Sequence, residues 1–144
     1  MSAFPSASEW RALRERLASE VPFQLLTLLE VDWDNDLVRR LYSSNEEHYP
    51  SGGVKHLMDS RWGRHVLQEG RVFRANEYDE MKAGFADHEL LLSLGLSQAL
   101  NVPVLSKGRV TWTVNLLRGR PAFDDAEVDK VQMVLRGGST ANCS

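Results

Sequence analysis

Two carboxamides are the residues here best placed to do recognition chemistry. Asn101 and Asn115 lie in apolar runs joined by a Lys107-Gly108 turn, in the stretch SQALNVPVLSKGRVTWTVNLL from Ser97 to Leu117. An amide side chain both donates and accepts, so it can orient a polar ligand. Once buried it must find partners. Gly at the second turn position suits a two-residue hairpin. Pairing Ser106 with Arg109 sets Asn101 opposite Val114 and Leu100 opposite Asn115, with one amide on each face. Asn101 then shares a face with Val110, Trp112 and Val114 and is expected to look into a ligand site. Asn115, with Thr113, is expected to bond to helix or backbone on the other face.

Histidine could carry protons or bind a metal near neutral pH. His48, His56, His65 and His88 form no HxH or HxxxH pair, so no metal site is expected. His48 and Tyr49 lie in a Pro/Gly-rich loop, NEEHYPSGGVK, suited to a cavity mouth. His88 follows Asp87, which reads as the N-cap of a short helix. Trp62, Phe73 and Phe85, with Tyr42, are candidate aromatic walls of a small-molecule site. For each aromatic, ordinary core packing is the competing reading. Nucleophilic catalysis finds little support: no G-x-S-x-G elbow is present, and Gly52-Gly53 with Lys55 lacks the rest of a phosphate loop. The lone Cys143 leaves no disulfide and no cysteine zinc site within one chain.

Helices and strands must position these groups. Ser6 to Glu9 is a capping box, followed by Trp10, Leu13, Leu17 and Val21 at helical spacing and by Pro22. Gln24–Val31 and Leu37–Ser44, around Asp34-Asn35-Asp36, predict a hairpin of uncertain register. Asn45–Lys55 reads as loop. Ser60 is expected to cap a short helix bearing Trp62, Val66 and Leu67 and ending at Gly70. Val72 and Phe73 read as a brief strand, 77–85 is ambiguous, and His88–Leu94 is a short helix closed by Gly95. After the long hairpin, Asp124 to Glu127 caps a last helix with Val128, Val131, Met133 and Leu135. The expectation is one α+β domain over 1–136, with a disordered tail over 137–144.

The order of elements and the hairpin motif, x-N-V-P-V, a Gly-Arg turn and V-x-x-T-x-N-L-L, resemble a GAF domain over roughly 4–135. The resemblance implies an antiparallel sheet in the strand order 2-1-5-4-3. It implies terminal helices on one face and a lidded small-molecule pocket on the other. The lid is the half-regular middle of the chain, where Trp62 opens the overhanging helix. The family commonly places a small residue at the position of Trp112, and pocket cysteines of its bilin-binding and methionine-sulfoxide-reducing members are absent. Its cyclic-nucleotide signature is not recognisable either.

The reading is a stand-alone small-molecule module for sensing or regulation, without cofactor. Its expected ligand-binding residues are Tyr42, His48, Tyr49, Trp62, Phe73, Phe85, His88, Asn101 and Trp112. The alternative is an enzyme using His48 or His88 as acid or base, with Asn101 or Asn115 orienting substrate. A net charge of −3 disfavours nonspecific nucleic-acid binding. No apolar run approaches the roughly 18 residues of a membrane span. A signal peptide is not evident, and the expected location is cytoplasmic. Apolar surface on the first and last helices, from Trp10, Leu13, Leu17, Val128, Val131 and Leu135, leads to an expected homodimer through those helices.

Overall fold

Helix termini and one tight turn frame the fold. The computed structural model describes residues 5–56, 62–85 and 87–140. Helix α1 (Ala7–Glu20) begins at the capping box: the Glu9 N–H donates to the Ser6 hydroxyl at 3.3 Å, and the Ser6 N–H donates to the Glu9 carboxylate at 2.9 Å. Helix α4 (Asp125–Thr140) repeats the device with two carboxylates. The Glu127 N–H donates to Asp124 Oδ1 at 2.8 Å, and the Asp124 N–H to Glu127 Oε1 at 3.1 Å. The α4 backbone runs four residues into the stretch expected to be tail; once a helix is nucleated, each further turn adds bonds at little cost. Residues 141–144 lie outside the described residues. Met133, expected on the buried side, is 64% exposed, and Val131, Val134 and Leu135 form that side instead.

Among the described residues six strands form one antiparallel sheet: β1 (Leu25–Asp32), β2 (Leu37–Ser43), β3 (Val54–His56), β4 (Phe73–Ala75), β5 (Gln98–Ser106) and β6 (Arg109–Arg118). Their order is β3-β2-β1-β6-β5-β4. The five expected strands stand in the expected order. β3 is an addition at the edge, within and just beyond the stretch read as loop. It forms because Gly52 N–H donates to Arg40 O at 2.6 Å and Arg40 N–H to Gly53 O at 2.8 Å, which draws the loop along β2.

Two bulges decide which side chains share a face. At the β5–β6 turn, Lys107 (φ 55°) and Gly108 (φ 77°) both take positive φ, and Ser106 pairs with Arg109 as the turn chemistry requires. Beyond Leu105↔Val110 the next pair is Val104↔Trp112, so Thr111 is an extra residue in β6. Its hydroxyl donates to Val104 O at 3.2 Å. The register then runs Asn101↔Asn115 and Leu100↔Leu116, not the pairing expected from the turn alone. The second bulge lies in β2, where Leu28 pairs with Tyr42 and Leu29 with Arg40, leaving Leu41 extra.

Helices α1 and α4 pack on one sheet face, with Trp10, Leu13, Leu17, Val131 and Leu135 against Leu26, Leu28, Leu100, Val114 and Leu116. The opposite face carries Leu25, Leu29, Val31, Ala99 and Leu117 under a lid. That lid is built from a π-helical segment Gly63–Gln68, α2 (Tyr78–Gly84) and α3 (His88–Ser93). Ser60, the expected cap of the first of these, lies outside the described residues. Asp87 stands at the N-cap position of α3 but its side chain makes no capping bond.

Arg118 ends β6 and locks it to α4. Its Nε donates to Pro121 O at 2.9 Å, Nη1 to Pro22 O at 2.9 Å and Glu127 Oε2 at 2.7 Å, and Nη2 to Ala122 O at 3.0 Å and Glu127 Oε1 at 2.7 Å. Every N–H of the guanidinium is used.

Candidate functional site

On the sheet face away from α1 and α4, a cavity of about 290 Å³ opens between strands and lid. Its floor is Thr27 and Leu29 of β1 with Asn115 and Leu117 of β6, and its side is Val38 and Arg40 of β2. Tyr49, Gly53, Val54, Trp62, Phe85 and Asp87 close over it. The wall is mostly apolar, with few polar groups at defined points, as in small-molecule sites generally.

The floor carries a buried amide–hydroxyl network. Asn101 Nδ2 donates to Asn115 Oδ1 at 2.5 Å, Thr113 Oγ1 to the same oxygen at 3.3 Å, and Asn115 Nδ2 to Thr27 Oγ1 at 3.1 Å. Asn101 and Thr113 are completely buried, and Asn101 Oδ1 finds no partner among the described residues. Asn115 therefore presents its amide to the cavity with orientation fixed from beneath, while Asn101 supports it without lining the space itself.

At the rim, the Arg40 guanidinium lies flat over the Tyr49 ring, 3.6 Å from its centroid. Arg40 Nη1 donates to Pro50 O at 2.7 Å, and Nη2 is 3.7 Å from Asp87 Oδ2. A Cβ at Gly53 would stand 3.0 Å from Nη1, so the bare glycine is what lets the guanidinium sit there. Burial, and the Asp87 carboxylate beside it, push the Tyr49 phenol well above its ordinary value, and Arg40 pulls the other way. The phenol is neutral, and its ring serves as a shelf for the cation.

The residues expected at the site divide into three groups. Tyr49, Trp62 and Phe85 line the cavity. Asn101 and Phe73 are on the same sheet side but buried beside the cavity, Phe73 directly opposite Asn101 and edge-on to His65 at 5.9 Å. Tyr42, Trp112, His48 and His88 are elsewhere. Tyr42 and Trp112 are on the helix face, because the bulges at Leu41 and Thr111 reverse the alternation that would have turned them to the cavity. Tyr42 stacks on Trp10 at 5.1 Å and donates to Pro5 O at 2.9 Å. His48 is exposed on its loop, its N–H donating to Asn45 Oδ1 at 3.1 Å. His88 turns away, with Nδ1 3.1 Å from Phe85 O and its ring edge-on to Tyr78 at 5.8 Å. The acid–base histidines of the enzyme alternative thus do not line the cavity.

Sequence reasoning passed over Thr27, Arg40 and Asp87, and put Asn115 on the wrong face. One signal was present for Arg40: it alternates with Val38 on a strand next to a Gly-Gly loop. Among the described residues no group of three or more His, Cys, Asp or Glu side chains could hold a metal ion, and no helix is long and apolar enough to cross a membrane.

No protein-family model matches the sequence, and no curated protein does. Solved structures match throughout. The GAF domain of a two-component sensor histidine kinase from Bacillus halodurans aligns with TM-score 0.76 at 14% identity, over 92% of this chain and 90% of that one. The GAF domain/HD domain protein from Geobacter sulfurreducens aligns with TM-score 0.77 at 15% identity, over 97% and 94%. The GAF domain of a phosphoenolpyruvate-protein phosphotransferase from Coxiella burnetii aligns with TM-score 0.73 at 14% identity, over 98% and 85%. The chain has the GAF-domain fold.

Proposed function

We propose that this GAF-fold chain is a sensory or regulatory module that binds a small organic molecule between sheet and lid. The observation that carries the reading is the cavity of about 290 Å³, walled by Leu29, Val38, Trp62, Phe85 and Leu117 over an amide held rigid from below. One of the similar structures is, by its description, the GAF domain of a two-component sensor histidine kinase. A thermal-shift screen of metabolites tests the reading, since a ligand selective for the native state raises the melting temperature. Val38→Phe, which fills the cavity from its side, is expected to abolish any shift that a hit produces. A hit indifferent to Val38→Phe would place binding elsewhere.

A homodimer through α1 and α4 in the cytoplasm belongs to the same reading. The six apolar residues that suggested the dimer pack against the domain's own sheet, so its apolar contribution falls to Met133 on the outer side of α4. Light scattering of the wild type and of Met133→Glu measures it: a dimer for the first and a monomer for the second is the expected result.

A further inference from the structure

Arg118 and Arg40 are both largely buried, with side chains 7% and 16% exposed, yet they are served very differently. Arg118 uses every donor. Among the described residues Arg40 makes one hydrogen bond, from Nη1 to Pro50 O. Its Nε has no partner among the described residues, and the 3.7 Å from Nη2 to Asp87 is too long for a hydrogen bond. A cation withdrawn from water and left with open donors is costly, so the gap asks for an acceptor. The Nε–Nη2 edge is the one that receives a carboxylate through two parallel bonds.

We propose that the cavity selects a small carboxylate with an apolar body, its charged end on the Nε–Nη2 edge of Arg40 and its body against Trp62, Phe85 and Leu117. This rests on the ligand-binding reading above. Arg40 and Asp87 are the only charged residues among the described lining, so the choice of charge lies between them. Arg40 is the more enclosed. Asp87 is 37% exposed, makes no capping bond and is held at the rim by the Tyr49 phenol, so turning it outward to clear the edge that it half covers costs that one contact. The volume lies at the small end for ligand pockets, which suits an arylacetic or branched aliphatic acid and not a nucleotide.

Calorimetric titration of the whole chain with phenylacetate and 4-methylpentanoate, against phenylacetamide and phenethylamine, tests the inference. Carboxylates are expected to bind about ten- to a hundredfold tighter than the amide, the range for hydrogen bonds to a charged partner. Arg40→Gln should bring phenylacetate down to the level of phenylacetamide. Asp87→Asn, which removes the competing carboxylate, should tighten phenylacetate binding. If the amide or the amine binds as well as the acids, the carboxylate inference falls while the cavity reading stands. If none of the four binds, the carboxylate inference falls, and the cavity reading falls with it only if the metabolite screen also yields no hit blocked by Val38→Phe. Should Arg40→Gln fail to fold by circular dichroism, Asp87→Asn decides: an unchanged or weakened affinity for phenylacetate overturns the inference.

Discussion

Replacing Asn115 and Asn101 by Ala, singly and together, probes the cavity floor. The two substitutions remove the same side-chain atoms from neighbouring buried positions, so their packing costs are similar. Their polar costs differ. Without Asn115, the donors of Asn101 and Thr113, both completely buried, lose their common acceptor. Each stranded donor costs about 1–3 kcal/mol, giving a polar loss of about 2–6 kcal/mol. Without Asn101, Asn115 Oδ1 still accepts from Thr113, and an acceptor that already had no partner disappears with the side chain. That loss is about 1 kcal/mol or less. The difference, roughly 2 kcal/mol, is a gap of about 4–8 °C in melting temperature for a chain near this size. Urea unfolding of the three variants measures it directly. The double variant should lie about 1 kcal/mol or more closer to wild type than the sum of the single losses, because removing Asn101 removes one stranded donor. Equal losses at the two positions, or strict additivity, would refute a shared network centred on Asn115.

Further expectations concern the clamp and the lid. Arg118→Met should destabilise by about 3–5 kcal/mol in chemical denaturation, since it leaves the Glu127 carboxylate without its cation and strips the Pro22 and Ala122 carbonyls of their donor. Arg118 holds the Glu127 carboxyl below its ordinary 4.5, so the pair's stabilisation is whole above that value and is lost as pH falls through the lower folded value. Thermal midpoints followed from neutral to acid pH should show this limb in the wild type and a reduced one in Glu127→Gln. Gly84→Ala would put a Cβ 2.7 Å from Phe73 Cε2, and should cost about 1–3 kcal/mol by overpacking, read from the unfolding midpoint.

Capping boxes at Ser6 and Asp124 and the Lys107-Gly108 turn were legible because each is local chemistry, whereas the strand order was legible only through the resemblance to GAF domains. The cavity's aromatic cover, Tyr49, Trp62 and Phe85, was legible as residue types in a half-regular section. Facing was not. Alternation carries a side chain's direction only while the ladder is unbroken, and neither Leu41 nor Thr111 differs in type from an ordinary strand residue. Tyr42 and Trp112 were misplaced for that one reason, and Asn115 with them. β3 was hidden because its strand depends on backbone bonds from Gly52 and Gly53 to Arg40, which no side-chain pattern announces.

Thr111 and Leu41 work like a vernier: each lets a strand change phase by one residue while the turn beyond it stays fixed. A change in chain length at such a point therefore does what no substitution can. Deleting Thr111 would flatten the bulge and keep every pair from Ser106↔Arg109 to Asn101↔Asn115, so Val110 would stay in the lid-side core and Asn115 in the floor. Lengthening β6 by one residue nearer Asn115 would instead turn the amide out of the floor. On this sheet, which molecule the cavity accepts can thus be altered by a single codon gained, with every cavity-lining residue type retained.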